Sequence, residues 1–140
     1  MLYVDTSVLV ASFTNEIATA RVQRWFAEQA SEQLAISDWV VTEFSSALSI
    51  KMRTRHIGEN DRAQILAAFT QIVADSFVTV PVTPIDFRTA ARFADRHDLS
   101  LRAGDALHLA AASGRGATLC TLDQRLAHAG VALGANAVLV

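Results

Sequence analysis

The chain has 140 residues, a length typical of one domain, and 51% of them are hydrophobic, which is enough for a real core. Its formal net charge of −2 argues against binding nucleic acid through bulk positive charge, so contacts with phosphate must be local. No apolar run suits a membrane helix, the single cysteine excludes an internal disulfide, and the N-terminus lacks signal-peptide features. We therefore expect one soluble domain over residues 1–140, in the cytoplasm.

The N-terminal part of the chain predicts two short strands and two helices. The run LYVDTSVLV indicates a buried strand that ends near Asp5, followed by a helix that Thr6 and Ser7 cap. An amphipathic helix follows over residues 17–30, and LAIS predicts a second strand at residues 34–37. A longer helix begins with Asp38 as its cap. Its buried stripe is formed by Val40, Phe44, Ala47 and Leu48, and Glu43 falls on that stripe.

The rest of the chain continues the alternation. A helix over residues 61–74 pairs with the preceding helix as a hairpin and directs Ile65, Leu66, Phe69, Ile72 and Val73 toward the core. FVTVPV predicts a third strand, Pro84 opens a helix that runs to His97, and another helix covers residues 103–113 with Asp105 in its first turn. ATLCTLD predicts a strand that ends at Thr121 and Asp123. A short helix at 124–129 and a strand at 137–140 complete the chain.

Strands that alternate with helices predict a parallel sheet covered on both faces, in which ligands bind beyond the carboxyl ends of the strands. Asp5 and Asp123 are predicted at those ends, and Glu43 and Asp105 approach from neighbouring helices. All four carboxylates border apolar segments, and an isolated buried carboxylate is costly unless it acquires a partner. We therefore expect them to share a divalent metal ion.

Four segments, MLYVDTSVLV, WVVTEFSSAL, RAGDALHLA and TLCTLD, resemble in their order and spacing the PIN domain family, specifically its VapC-type toxins. The resemblance implies a PIN-like α/β/α sandwich with a central, mainly parallel sheet flanked by helices. It further implies a homodimer and an endoribonuclease that uses Mg²⁺ or Mn²⁺, leaves 5′-phosphate and 3′-hydroxyl ends, and is neutralised by a VapB-type antitoxin.

The resemblance also assigns roles to individual residues. The catalytic and metal-binding acids are Asp5, Glu43, Asp105 and Asp123, and the supporting hydroxyls are Ser7 and Thr121. Mg²⁺ prefers oxygen ligands and keeps several waters, so a few carboxylates suit it. Such an ion can orient water for attack on a phosphodiester, and a second ion can stabilise the leaving oxygen. Gln124 and Arg125 follow Asp123, so no further acid stands close by to complete a second metal site. The sequence therefore leaves open whether one or two ions bind.

Basic residues concentrate at the end of the helix that carries Glu43. We hypothesise that this stretch holds RNA phosphates with help from two further arginines; the residues are Lys51, Arg53, Arg55 and His56, with Arg102 and Arg115. A simpler reading is that positive charge stabilises the C-terminus of that helix.

Simpler readings exist for other residues as well. In this interpretation the only role of Asp5, Asp105 and Asp123 is to stabilise helix N-termini, and Ser7 and Thr121 are ordinary caps. His108 lies one turn after Asp105, which allows a metal pair but favours a packed or hydrogen-bonded histidine. Cys120 reads as a small buried hydrophobe. Apolar surface around Trp25, Trp39 and Phe69 offers contact area for dimerisation, but the sequence does not show which part forms the interface.

Three other functions are weaker. A PIN-like module that binds RNA or protein without cleaving is opposed by the presence of all four acids. A histidine-based ribonuclease lacks a supporting motif around His56, His97, His108 and His128. A phospho-acceptor receiver domain needs a lysine near its later strands, and the only lysine of this chain is Lys51.

Overall fold

Five parallel strands form the centre of the computed structural model, which describes all 140 residues. The strands are β1 (Leu2–Val4), β2 (Leu34–Ser37), β3 (Val78–Val80), β4 (Thr118–Thr121) and β5 (Ala137–Leu139). The helices are α1 (Thr6–Phe13), α2 (Thr19–Ala27), α3 (Asp38–Arg53), α4 (Glu59–Ser76), α5 (Pro84–Ala94), α6 (Ala103–Ser113) and α7 (Gln124–Ala132). Short 3₁₀ turns lie at Ser31–Gln33 and His97–Leu99. The predicted α/β/α architecture with a parallel sheet is confirmed.

The strand order is β3, β2, β1, β4, β5, so β1 is the central strand. Leu2 is in register with Leu34 of β2 and with Thr118 of β4. The chain segments that leave β1 and β4 therefore emerge side by side, and the Asp5 amide still donates to the Cys120 carbonyl at 3.1 Å. This adjacency brings the loops that carry Asp5 and Asp123 to the same edge of the sheet.

The start of α1 differs from the prediction, because Asp5 rather than Thr6 or Ser7 is its cap. Asp5 has extended backbone angles, and its carboxylate accepts from the first free amides of the helix. Thr6 and Ser7 are helical, so their hydroxyls are free for other contacts. Asp38 is likewise the first residue of α3 rather than its cap; the cap position belongs to Ser37.

Helices α3 and α4 pack together as the predicted hairpin. The rings of Phe44 and Phe69 stack with centroids 4.0 Å apart and planes 10° from parallel, and Phe69 is buried. Ile72, expected in the core, is 43% exposed. The reason is that α4 packs extensively only against α3, so part of its apolar stripe meets no second layer. Phe69 is correspondingly a core residue and not part of a contact surface.

Several boundaries shift by a few residues. Helix α5 ends at Ala94 instead of His97, and the chain then turns through Ser100, which adopts a left-handed conformation with φ 52°. Helix α6 has the predicted bounds, and α7 extends beyond them to Ala132. None of the helices combines the length and apolar character that crossing a membrane requires.

Candidate acidic active site

Asp5 lies directly after the central strand and is only 4% exposed. Its Oδ1 atom accepts hydrogen bonds from the Ser7 amide at 2.8 Å, the Ser7 hydroxyl at 2.5 Å and the Val8 amide at 3.3 Å. All three bonds go to this one oxygen. The N-terminus of α1 therefore stabilises the charge of the carboxylate and fixes its orientation, while Oδ2 stays without a hydrogen bond.

Asp123 has the same relation to α7 that Asp5 has to α1. Its Oδ1 atom accepts from the amides of Arg125 at 2.8 Å and Leu126 at 3.3 Å. Burial raises the pKa of the Asp123 carboxyl, but these backbone hydrogen bonds and the charge of Arg125 outweigh it, so the pKa lies below its ordinary value. Asp123 is therefore ionised at neutral pH.

Two hydroxyl groups brace the loops that carry these aspartates. The Ser7 hydroxyl donates to Asp5 and accepts from the Leu122 amide at 3.0 Å, which connects the ends of β1 and β4. The Thr121 hydroxyl accepts from the Asp123 amide at 2.9 Å. Ser7 thus contacts a carboxylate directly, whereas Thr121 acts on the backbone.

Glu43 reaches the site from α3. Its Oε2 atom accepts from the Thr6 hydroxyl at 2.7 Å and is 2.6 Å from His108 Nε2. Its Oε1 atom lies beside the backbone of Gly104, where an added Cβ would be 2.6 Å away. Burial raises the pKa of the Glu43 carboxyl, but the hydrogen bonds from His108 and Thr6 outweigh it, and the pKa is lowered.

Asp105 lies in the first turn of α6, as predicted. Its Oδ2 atom accepts from the Arg102 amide at 3.3 Å, which closes the N-terminus of the helix. Burial raises the pKa of this carboxyl above its ordinary value, and the charge of Asp123 adds to the rise. Asp105 and Asp123 are therefore close enough to repel each other.

The four acids share one property, since each uses one carboxylate oxygen for hydrogen bonds within the protein and leaves the other without one. The oxygens without a hydrogen bond are Asp5 Oδ2, Glu43 Oε1, Asp105 Oδ1 and Asp123 Oδ2. Asp123 Oδ2 makes only a long ion pair of 3.5 Å with Arg125. The side chains do not converge as closely as the sequence suggested, because no three acidic, histidine or cysteine residues form a ready-made group of metal ligands.

An open cleft of about 620 Å³ reaches one of the four acids, Asp123. It is lined by Thr6, Ser7, Val10, Glu16, Ala47, Leu122, Asp123, Gln124 and Arg125. The cleft lies at the predicted edge of the sheet and gives solvent and ligands access to Asp123.

The sequence profile of the PIN domain matches residues 2–132. The chain belongs to the PIN domain family. The resemblance seen in its four motifs is confirmed at this level, and no curated protein sequence gives a significant match.

Several solved structures share this fold. VapC20 from Mycobacterium tuberculosis, described as a toxin that cleaves the sarcin-ricin loop, is 21% identical, with 93% of this chain and 95% of that chain covered and a TM-score of 0.74. PAE2754 from Pyrobaculum aerophilum is 26% identical, with 98% and 88% covered and a TM-score of 0.69. VapBC-5 from M. tuberculosis, a toxin-antitoxin system, is 22% identical, with 99% and 95% covered and a TM-score of 0.57.

The donor set of this PIN domain fits a hard divalent cation. The oxygens left without hydrogen bonds are all carboxylate oxygens, and the nearby histidine, His108, has both ring nitrogens bonded within the protein. Mg²⁺ binds through one or two carboxylates and retains several waters, so it does not require a closed group of protein ligands. Zn²⁺ sites, by contrast, favour histidine and cysteine ligands, whereas His108 is already bonded at both nitrogens and Cys120 is buried.

The basic residues expected to hold RNA have different surroundings. Lys51 forms a 2.7 Å ion pair with Glu16, a residue of the cleft. Arg53, Arg55 and Arg102 are exposed and make no side-chain hydrogen bond. Arg115 is held by Asp86 and by the carbonyls of Pro81 and Ala111, so it belongs to the packing between α5 and α6.

Sequence reasoning missed several residues around Glu43. Thr6 was expected to be a cap and instead donates to Glu43, and Gly104 allows the close approach of its Oε1 atom. His108 is the hydrogen-bonded helix histidine that the sequence favoured, yet its partner in space is Glu43. Only the position of Thr6 beside Asp5, and of Gly104 and His108 on either side of Asp105, pointed to them. Cys120 is buried as expected, and burial raises the pKa of its thiol to about 11.

Proposed function

We propose that this PIN domain is an endoribonuclease that depends on Mg²⁺ or Mn²⁺ and acts as the toxin of a toxin-antitoxin pair. The observation that carries the proposal is the arrangement of Asp5, Glu43, Asp105 and Asp123, each braced through one carboxylate oxygen and open at the other. PIN-domain nucleases typically use divalent metals, and Mn²⁺ shares the preference of Mg²⁺ for oxygen ligands. The chain cleaves RNA phosphodiesters by hydrolysis in this proposal.

The same four carboxylates would hold one or two ions. When bound, such an ion neutralises phosphate charge and lowers the pKa of water in the site. The protein contributes orientation: the amides at the start of α1 and α7 fix Asp5 and Asp123, and the Thr6 hydroxyl fixes Glu43. The lowered pKa values of Glu43 and Asp123 keep these ligands ionised at neutral pH.

Removal and return of metal tests the activity. Protein stripped with EDTA is expected to leave RNA intact, and added Mg²⁺ or Mn²⁺ restores cleavage with 5′-phosphate ends, scored by ligation and sequencing. Asp123→Asn is expected to lose cleavage even with metal. Asp98→Asn is the matched control, because Asp98 is an exposed acid paired with Arg96. This variant should keep full activity.

Two outcomes would contradict the proposal in different ways. Undiminished cleavage in EDTA indicates a histidine-based ribonuclease, which uses the 2′-hydroxyl of RNA and no metal. Binding of RNA or protein without cleavage, at any metal concentration, indicates a non-catalytic PIN-like module.

We further propose that Lys51, Arg53, Arg55 and Arg102 hold the phosphates of RNA. Lys51 pairs with Glu16, which lines the cleft, and the three arginines have free guanidinium groups. Changing Arg53 and Arg55 together to Ala is expected to weaken RNA binding and to reduce its dependence on salt, measured by fluorescence anisotropy. Unchanged affinity and salt slope would show that these arginines only stabilise the C-terminus of α3.

The partner in this proposal is a VapB-type antitoxin, and the chain forms a homodimer. Support comes from the fold, which the chain shares with the toxin-antitoxin system VapBC-5. Coexpression with a VapB-type antitoxin is expected to suppress cleavage, and light scattering of the free chain should give a dimer mass. Equal cleavage with and without that peptide would refute the regulatory part of the proposal.

A further inference from the structure

A chain of buried hydrogen bonds ends at Glu43. The Ser37 hydroxyl is 2.6 Å from the Tyr3 hydroxyl, which is 3.1 Å from His108 Nδ1, and His108 Nε2 is 2.6 Å from Glu43 Oε2. Ser37 and Tyr3 are fully buried, and His108 is 3% exposed. These side chains come from β2, β1, α6 and α3, so the chain of bonds crosses the centre of the fold behind the site.

The directions of these bonds follow from the acceptor at the end. A carboxylate only accepts, so the hydrogen toward Glu43 belongs to His108 Nε2. In a neutral imidazole the other nitrogen is then an acceptor, which takes the hydrogen of the Tyr3 hydroxyl. The Tyr3 oxygen in turn accepts from Ser37. Every polar atom in this series of hydrogen bonds is paired in this way.

Two donors, His108 and Thr6, therefore meet at one oxygen of Glu43. The other oxygen, Oε1, lies against the backbone of Gly104, and the indole of Trp39 is beside the same carboxylate. The carboxylate is thus confined from both sides, and its orientation is decided when the protein folds rather than when a ligand binds.

We propose that His108, braced by Tyr3, is a positioning residue that fixes the Glu43 carboxylate in the orientation for binding a divalent cation. This inference rests on the proposed function, because it assigns a metal to the acidic site. His108 itself touches neither RNA nor metal in this assignment. Its effect passes through Glu43, as is common for groups that orient metal-binding carboxylates.

Mn²⁺ binding tests the inference without RNA. Metal-free protein is titrated with Mn²⁺, and free Mn²⁺ is read from its electron paramagnetic resonance signal. His108→Leu removes the donor and is expected to weaken Mn²⁺ affinity about tenfold or more. His108→Gln keeps an N–H donor near the same position and restores most of the affinity. Tyr3→Phe removes one oxygen and gives a smaller loss.

Activity gives a second readout that a purely structural role would not change. The variants should need more Mn²⁺ for half-maximal cleavage, while kcat at saturating Mn²⁺ recovers toward the native value. Thr83→Val is the matched control, because the Thr83 hydroxyl bonds the buried Asp86 away from the acids. It should lower stability in thermal melts and leave Mn²⁺ affinity unchanged.

Native Mn²⁺ affinity in folded His108→Leu and in Tyr3→Phe would overturn the positioning role. Should His108→Leu fail to fold, Tyr3→Phe alone decides, since it changes a single atom. The two ideas can be told apart. A native protein that binds no Mn²⁺ overturns both the proposed function and the positioning role. Mn²⁺ binding that Asp5→Asn abolishes and His108→Leu leaves intact overturns only the positioning role.

Discussion

Asp5 and Asp86 are buried to the same degree, at 4% and 5% exposure, yet their surroundings differ. Both oxygens of Asp86 are bonded, to the Thr83 amide and hydroxyl and to the guanidinium of Arg115. Asp5 has bonds at one oxygen and no cation beside it. Burial alone therefore does not distinguish a structural carboxylate from one that is available for a ligand. The distinguishing feature is a carboxylate oxygen that has no hydrogen-bond partner.

The sharpest test of this comparison is Asp5→Asn. Asparagine is as good a helix cap as aspartate, so the fold and thermal stability should change little. Loss of the negative charge should reduce cleavage by at least about 100-fold, since a metal ligand matters more than the groups that orient it. Cleavage rates beside thermal melts give the answer, and a native rate would remove Asp5 from the proposed site.

Asp86→Asn should show the opposite behaviour. The substitution leaves Arg115 without its anionic partner in a largely buried position, and it should lower the free energy of unfolding by about 2 kcal/mol. Urea denaturation measures the loss. The folded protein should keep native Mn²⁺ affinity, and a variant that is stable but fails to bind metal would contradict the distinction between the two aspartates.

Gly104→Ala tests the free oxygen of Glu43 itself. The added Cβ would lie 2.6 Å from Oε1, so the carboxylate must move, and cleavage should fall about tenfold. Stability should fall slightly, because the displaced carboxylate strains its bonds to Thr6 and His108, which outweighs the preference of a helix for alanine over glycine. Gly58→Ala is the control, since its Cβ would meet Asp61 at an ordinary 3.5 Å. Equal cleavage by both variants would show that Glu43 tolerates displacement.

The smallest expected effect is in the pH dependence of stability. Burial raises the pKa of the Asp86 carboxyl, but the Thr83 and Arg115 bonds outweigh it, so the folded pKa is lowered. A lowered pKa means that the ionised carboxylate stabilises the fold above its ordinary pKa of 3.8, and that this contribution is lost as pH falls through the folded value. The stability difference between native protein and Asp86→Asn should therefore shrink below about pH 4. A constant difference down to pH 2 would mean that the ion pair contributes nothing.

The sequence was sufficient for the sheet and for the positions of the acids, because both depend on local pattern. Apolar runs mark the strands, and the acids follow directly after β1 and β4 or lie near the start of α3 and α6. Contacts between residues far apart in the chain could not be predicted from the sequence. The Glu43 bond to His108 spans 65 positions and the Asp86 bond to Arg115 spans 29, and neither leaves a local periodicity.

Packing at the edge of the fold was also beyond local pattern. The apolar stripe of α4 predicted that both Phe69 and Ile72 face the core, and only Phe69 does. Periodicity shows which residues share a face of a helix, but the length over which a second layer covers that face depends on the arrangement of neighbouring elements.

Tyr3 lies on the central strand β1, and Asp5 follows directly after that strand. Side chains alternate along a strand, so a slip of one residue in the pairing of β1 would turn Tyr3 away from Ser37 and His108. A molecule with that wrong register therefore loses the brace of Glu43 together with the hydrogen bond from the Leu122 amide to Ser7, which connects the ends of β1 and β4. The proposed hydrolysis accordingly requires correct pairing of the whole sheet, and copies with the wrong register should be inactive.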